Sequence, residues 1–482
     1  MRYLSTRDPR PQPETRSFED VLLAGLAEDG GLFVPERLPV LDAEAWRTLA
    51  GRPYAEVAAR ILSLFAGDAF DLPELSQLTE AAYGEFRHGA VAPLVQLDER
   101  LWLLELFHGP TLAFKDLALQ LLGRLFDTVL ARRGEHVTIV GATSGDTGSA
   151  ALAACRDRDA LDIFVLYPQG RVSEVQRRQM TTVDAANAHA IAVEGTFDDC
   201  QDLVKALFAD TALRRDLNLS AVNSINFARI AAQVVYYIAA GVALGAPGRP
   251  LSFCVPTGNF GNVYSAHLAR ALGLPIDLLA IGTNANDILA RYLTSGDMSM
   301  ATVIPSLSPS MDIQVSSNFE RLLFELKAEN GAAVAAALQS FRQTGALPAD
   351  EQSWRRAREM FTGYSVDDSA TLETIADIYR QTGMQIDPHS AVAVNAARRA
   401  LNRDGGTGPM VALATAHPAK FPDAVEQATG VRPPLPPALA DMMEQRERMT
   451  VLPNDIAAIA KFVRAHARRT RSSRPQPHRG AA

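Results

Sequence analysis

The residue best placed for covalent chemistry is Lys115, in the run Glu105-Leu106-Phe107-His108-Gly109-Pro110-Thr111-Leu112-Ala113-Phe114-Lys115-Asp116. It stands between a Gly-Pro turn and an apolar helix read over residues 116–126, where Leu117, Leu121, Leu122 and Leu125 repeat at helical spacing. An amine fixed there beside Phe114 loses part of its hydration, so its pKa falls and the free amine becomes available for Schiff-base chemistry. The alternative is a solvated lysine on a helix's first turn, a poor place for a cation because the helix dipole is positive there. The chain has five lysines, Lys115, Lys205, Lys327, Lys420 and Lys461, so the candidates for such chemistry are few.

Three further stretches offer anion or proton chemistry. Thr143-Ser144-Gly145-Asp146-Thr147-Gly148 lies between a strand pattern and a helix pattern; its glycines let backbone N–H groups approach an anion such as a carboxylate, although Ser, Asp and Thr also serve as helix caps. Val255-Pro256-Thr257-Gly258-Asn259-Phe260-Gly261-Asn262 follows another strand and opens a helix over 263–272; it reads as a phosphate cradle that needs no basic residue, the alternative being a tight αL turn. It has neither the Walker lysine nor GxGxxG spacing, which argues against an ATPase or a dinucleotide fold. Leu413-Ala414-Thr415-Ala416-His417-Pro418-Ala419-Lys420-Phe421 ends the last strand pattern; Thr415 can offer a neutral hydroxyl to a heterocycle nitrogen, and His417 and Lys420 are candidate acid/base groups. Lys420 rivals Lys115 as the Schiff-base lysine, with less apolar flanks. Arg229 begins a long apolar helix running to about Ala243, where a guanidinium implies either an anion partner or a surface position.

These groups need a scaffold, and the text between them alternates strand and helix. Residues 136–140, 163–167, 190–193, 251–255, 278–281 and 410–414 read as short β-rich runs with helical patterns between them, the rhythm of βαβ units around a parallel sheet. Ligands in such sheets bind at the carboxyl ends of the strands, where all these motifs fall. Before them, residues 1–93 form a small, mainly helical domain: a helix capped by Ser17, a turn at Asp29-Gly30-Gly31 into an extended run, and helices over 54–65 and 75–86. Residues 94–432 form the catalytic region, with a polar loop over 306–317 leading into a helix over 318–330. Pro433 to Pro437 mark a boundary before a helical region read over 438–467, assigned as a C-terminal unit, 433–467; residues 468–482 read as a disordered basic tail.

At 482 residues, 47% hydrophobic and 21% charged, the composition is that of a soluble globular protein of two or three domains. From Arg464 onward there are six arginines and no acid, so the preceding residues carry −14 against −8 for the whole chain, which disfavours nucleic acid as a partner. No membrane span or signal peptide is read, which makes the cytoplasm the expected location. Cys155, Cys200 and Cys254 lack metal-ligand spacing; reduced thiols and no metal are expected.

Taken together, these motifs resemble the threonine synthase family in its long bacterial and fungal form, over nearly the whole chain. The match includes Tyr3-Leu4-Ser5-Thr6-Arg7, Asp29-Gly30-Gly31-Leu32-Phe33-Val34-Pro35, Phe107 to Asp116, Thr143 to Gly148, Phe197-Asp198-Asp199-Cys200-Gln201, Asn223 to Ile230, Gly258 to Asn262, Met311 to Arg321, Ile386-Asp387-Pro388-His389 and Ala414 to Phe421. The resemblance implies a fold-type-II pyridoxal 5'-phosphate enzyme of the tryptophan synthase β kind, with two α/β lobes. It implies γ-elimination and β-hydration of O-phospho-L-homoserine to L-threonine and phosphate by a monomer. By residue, it implies that Lys115 forms the Schiff base, that Gly258, Asn259, Phe260, Gly261 and Asn262 hold the cofactor phosphate, and that Thr415 faces the pyridine nitrogen. Asp146 would lie near the cofactor's O3′, Thr143, Ser144, Gly145 and Thr147 would bind the substrate carboxylate, and Arg229 its phosphate. The competing expectations are a related phospholyase that releases a keto acid and a homologue that binds without catalysis.

Overall fold

A computed structural model describes residues 1–221, 223–404 and 408–468. Thirteen strands are present among them: β1 (Tyr3–Ser5), β2 (Phe33–Pro35), β3 (Leu94–Gln96), β4 (Leu101–Glu105), β5 (Val137–Ala142), β6 (Leu161–Pro168), β7 (Ala188–Glu194), β8 (Leu219–Ser220), β9 (Leu251–Pro256), β10 (Ile276–Thr283), β11 (Thr362–Ser365), β12 (Met410–Ala414) and β13 (Thr450–Pro453). One sheet has the order β11-β10-β9-β12-β4-β3 and is parallel except for the β3–β4 hairpin; the other is all parallel in the order β13-β7-β6-β5-β8. The expected α/β fold is therefore present, built on two sheets.

Strand sequence accounts for strand burial. Every residue of β6, Leu-Asp-Ile-Phe-Val-Leu-Tyr-Pro, is buried, as a strand covered by helices on both faces requires. Helices Lys115–Arg133 and Phe227–Ala243 pack on each other and are apolar around most of their circumference, so both are interior helices. The first begins with Lys115 itself and ends at Gly134, which takes the left-handed conformation.

Several boundaries moved. The helix read over 75–86 is Leu72–Tyr83, with Asp71 as its cap, and the one read over 318–330 is only Phe319–Leu326. The N-terminal segment carries the β1–β2 pair as well as helices. The reading of 438–467 as helical is corrected: a 3-10 turn, Pro437–Met443, and the helix Ile456–His466 flank β13, which extends the second sheet by pairing with β7. Four half-exposed residues form an edge strand only because β7 offers a free edge, a signal absent from local sequence. Of the assigned basic tail, all but Arg468 lies outside the described residues.

Candidate active site

The carboxyl ends of β4, β9 and β12 in one sheet and β5 in the other converge on Lys115. The loop after β4 is stitched to the loop after β12: Phe114 N–H donates to Thr415 O at 2.9 Å, and His417 N–H to Leu112 O at 3.0 Å. Leu112 sits at φ +62, a left-handed turn that aims the chain into the helix. These contacts fix where Lys115 begins its helix.

Lys115 is nearly buried, 8% exposed. Its Nζ donates to Asp146 Oδ2 at 3.0 Å, lies 3.5 Å from Ser310 Oγ, and stands 5.0 Å from the centre of the Phe114 ring. Burial lowers its pKa; Asp146 opposes that shift, while the cations Lys420 and Arg229 add to it. Burial disfavours ionisation of Asp146, but Lys115 and Lys420 outweigh it and hold the carboxyl well below its usual range. The opposite Asp146 oxygen accepts from Lys420 Nζ and Gln176 Nε2, each at 2.9 Å.

The turn before Asp146 requires glycine. Gly145 has φ +141, and a Cβ there would lie 2.4 Å from the Gln176 side chain. Thr143 Oγ1 accepts the N–H groups of Gly145 and Gly148 at 3.0 and 2.9 Å, so this hydroxyl is the cap of helix Asp146–Cys155. Ser144 is exposed and Thr147 partly so, leaving both able to meet a ligand.

The loop after β9 forms a cradle. Phe260 adopts φ +62, held by edge contacts with Phe319 and Phe361, and helix Gly261–Ala271 follows with its first-turn N–H groups lacking intrahelical acceptors. The Gly258 and Asn259 carbonyls are occupied by Ser316 Oγ (2.8 Å) and Asn318 Nδ2 (2.9 Å). A Cβ on Gly258 would press on Ser310 O at 3.0 Å, and one on Gly261 on Asn318 Nδ2 at 3.2 Å. The side-chain nitrogen of Asn262 is buried without a partner among the described residues, while its oxygen accepts from the Tyr236 and Tyr237 hydroxyls. A phosphate with free oxygens would satisfy these donors.

Arg229 is 3% exposed, and its Nε and Nη1 have no partner among the described residues; burial lowers its pKa to about 10. Such a guanidinium is stable only opposite an anion. Thr415 is buried at the end of β12. Every residue named as a candidate is thus on the strand-end loops or at their helix starts. Ser310, Gln176, Gln179 and the pair Asp387–His389 were given no role. His389 Nδ1 lies 2.7 Å from Asp387 Oδ2 and its Nε2 accepts the Ser310 N–H at 3.2 Å, which fixes the segment between Lys115 and the cradle. The only local signal was Asp387 as an N-cap before Pro388.

The described residues hold no cluster of metal-ligating groups, and no described helix is long and apolar enough to cross a membrane. The three cysteines are buried free thiols.

Three family models match the chain: threonine synthase N terminus over residues 2–83, pyridoxal-phosphate dependent enzyme over 87–416, and threonine synthase, C-terminal, over 390–463. A threonine synthase of Pseudomonas aeruginosa is 54% identical over 470 residues, covering 97% of this chain and 99% of that protein. The crystal structure of PLP-bound threonine synthase from Brucella melitensis superposes with a TM-score of 0.94 at 51% identity, covering 97% of this chain and 100% of that one. The yeast threonine synthase structure gives 0.91 at 38% identity, with 96% and 98% covered.

Proposed function

Because the chain belongs to the threonine synthase family of pyridoxal-phosphate-dependent enzymes, we propose the following roles for its residues. The reaction is that of a threonine synthase: O-phospho-L-homoserine and water give L-threonine and phosphate by γ-elimination and β-hydration, the last step of threonine biosynthesis.

Pyridoxal phosphate, when bound, supplies an electron sink for charge developed on the substrate carbons. Lys115 holds the cofactor covalently through Nζ. Released by substrate, the same amine takes the Cα proton, gives it up again, and only then, neutral once more, takes a Cβ proton; its burial favours the neutral form that each removal requires. Gly258 to Asn262 hold the cofactor phosphate with backbone N–H groups and the free Asn262 amide. With the cofactor bound, Thr415 would offer a neutral hydroxyl to the ring nitrogen, and Asp146 would serve the ring oxygen. The turn Thr143 to Thr147 receives the substrate carboxylate, with Ser144 and Thr147 as side-chain donors. Arg229 binds the substrate phosphate and stabilises its departure from Cγ, after which water adds at Cβ. That phosphate, held beside Lys115, is the available acid or base for the hydration. A monomer working in the cytoplasm completes this reading.

The observation that carries this reading is a buried lysine on a buried carboxylate beside an orphaned arginine and a phosphate cradle. Its test compares the absorbance of wild type and Lys115→Ala before and after addition of O-phospho-L-homoserine, with both products assayed. We expect a band near ~410–420 nm that the variant lacks, and equimolar threonine and phosphate. Phosphate without threonine would indicate the phospholyase, and no band in wild type a binding protein.

A further inference from the structure

Lys115 shares its carboxylate with a second lysine. Lys420, on the 3-10 turn Pro418–Lys420 after β12, is 0% exposed. Its three N–H donors have three acceptors: Asp146 Oδ1 at 2.9 Å, Thr111 O at 2.7 Å and Gln179 Oε1 at 2.9 Å. Gln179 in turn donates to Thr111 O at 2.9 Å, and Thr111 donates twice to Asp116. A lysine so enclosed has no route for carrying protons to a substrate. Its geometry is that of a fixed counter-ion.

We propose that Lys420 is a positioning residue for the reaction, a buried amine whose three acceptors make it a fixed partner that keeps Asp146 compensated and in place while the charge on Lys115 comes and goes. The inference rests on the reading of Lys115 as the reactive amine. During turnover Lys115 is bound to the cofactor, then a neutral amine, then a protonated one, so its attraction for Asp146 varies. Asp146 without a constant partner would be an uncompensated buried carboxylate whenever Lys115 is neutral, and would draw the proton back. Lys420 removes that demand. It also acts on Lys115 directly, because a second cation across one carboxylate makes the ammonium less favourable. The groups facing Lys115 from neighbouring elements are Asp146 on helix Asp146–Cys155, Lys420, Arg229 on helix Phe227–Ala243 and the neutral Ser310; on its own helix, Asp116 faces Thr111.

The experiment measures the pH at which Lys115 becomes reactive in the full-length apoprotein, by acetic anhydride labelling quantified on the Lys115 peptide. Lys420→Met should raise that midpoint by about one pH unit, and Lys420→Arg should leave it near wild type. Asp146→Asn and Asp146→Asn/Lys420→Met form a second comparison in which no carboxylate is left buried alone if Lys420→Met fails to fold. Here too the midpoint should be higher without Lys420. In the holoenzyme, the alkaline shift should appear in the acid limb of kcat against pH. Equal midpoints with and without Lys420, in either comparison, would overturn the proposal. Borohydride trapping of the cofactor in wild type separates the two levels: trapping on Lys420 overturns the reading of Lys115, whereas trapping on Lys115 with immobile midpoints overturns only the role of Lys420.

Discussion

His417 is pushed down to about 4, first by burial and then by the nearby His108, against a weaker opposite effect of Glu105. Its Nδ1 accepts the Ala419 N–H at 3.1 Å, which only an unprotonated nitrogen can do. The unfolded histidine binds its proton near 6.5, so between pH 6.5 and 4 the unfolded state holds more protons than the folded one. The stability tied to His417 is therefore complete above pH 6.5 and is lost as pH falls towards 4, at most about 3 kcal/mol. Urea unfolding at both pH values should show a flatter acid limb in His417→Gln; an unchanged slope would assign the acid sensitivity elsewhere. Arg229 carries an opposite lesson. Its buried Nε and Nη1 lack partners among the described residues, which costs stability, so Arg229→Met should melt at or above the wild-type temperature. In the cofactor-loaded enzyme, with the proposed Gly258 to Asn262 cradle filled, inorganic phosphate should raise the melting temperature of wild type and not of Arg229→Met, which should also lose at least about a hundredfold in kcat/KM. A variant that melts lower, or still responds to phosphate, would contradict this. Both residues were visible in the sequence as types, His417 after a strand pattern and Arg229 at a helix start. Gln176 on Asp146, Gln179 on Lys420 and Ser310 beside Lys115 were not, because a neutral side chain acquires meaning only from what the fold sets beside it.

At the scale of elements, β5, β6, β7, β9, β10 and β12 were legible because buried parallel strands are continuous apolar runs bounded by turn residues, whereas β4, β8, β11 and β13 were not read. Helix starts were legible where a capping side chain marked them, as at Ser17; helix ends such as Leu326 were less so, since the polar residues after it fit either a last turn or a loop. The turn at Gly145 joins both kinds of information. In sequence it is one glycine of a cap; in the fold it is the sole spacing that lets Gln176 reach Asp146. Gly145→Ala should place Cβ against Gln176 in an unfavourable backbone conformation and cost roughly 2–4 kcal/mol by denaturant unfolding. Gln176→Ala removes the hydrogen bond to Asp146 and the acceptor of the Ser173 N–H in its own helix's capping box, without backbone strain, and should cost only roughly 1–2 kcal/mol. Equal losses in the two variants would mean that the backbone at Gly145 relaxes freely.

For the whole molecule, the N-terminal segment is linked through intermediate residues to the loop Gly258 to Asn262, proposed above as the cofactor cradle. Arg7 meets Glu320 in a two-pronged ion pair of 2.8 and 2.6 Å, with Thr6 Oγ1 on the same carboxylate at 2.6 Å. The next residue, Arg321, is fully buried; it donates to Phe33 O of β2, to Ile225 O and to Asn318 Oδ1. Asn318 in turn holds the Asn259 carbonyl of the cradle. The chain of contacts runs from residue 7 through helix Phe319–Leu326 to the phosphate loop, and each link is buried enough to transmit a displacement. Arg7→Ala leaves Glu320 with Thr6 and solvent at its edge, so about 3 kcal/mol of stability should be lost. The sharper expectation concerns binding. If the segment serves to set the cradle, cofactor affinity, read by absorbance titration of the apoprotein, should weaken roughly tenfold, about 1.4 kcal/mol. A lower melting temperature with unchanged affinity would make the N-terminal unit a support for the fold alone, and would cut the physical link between the first strand and the site.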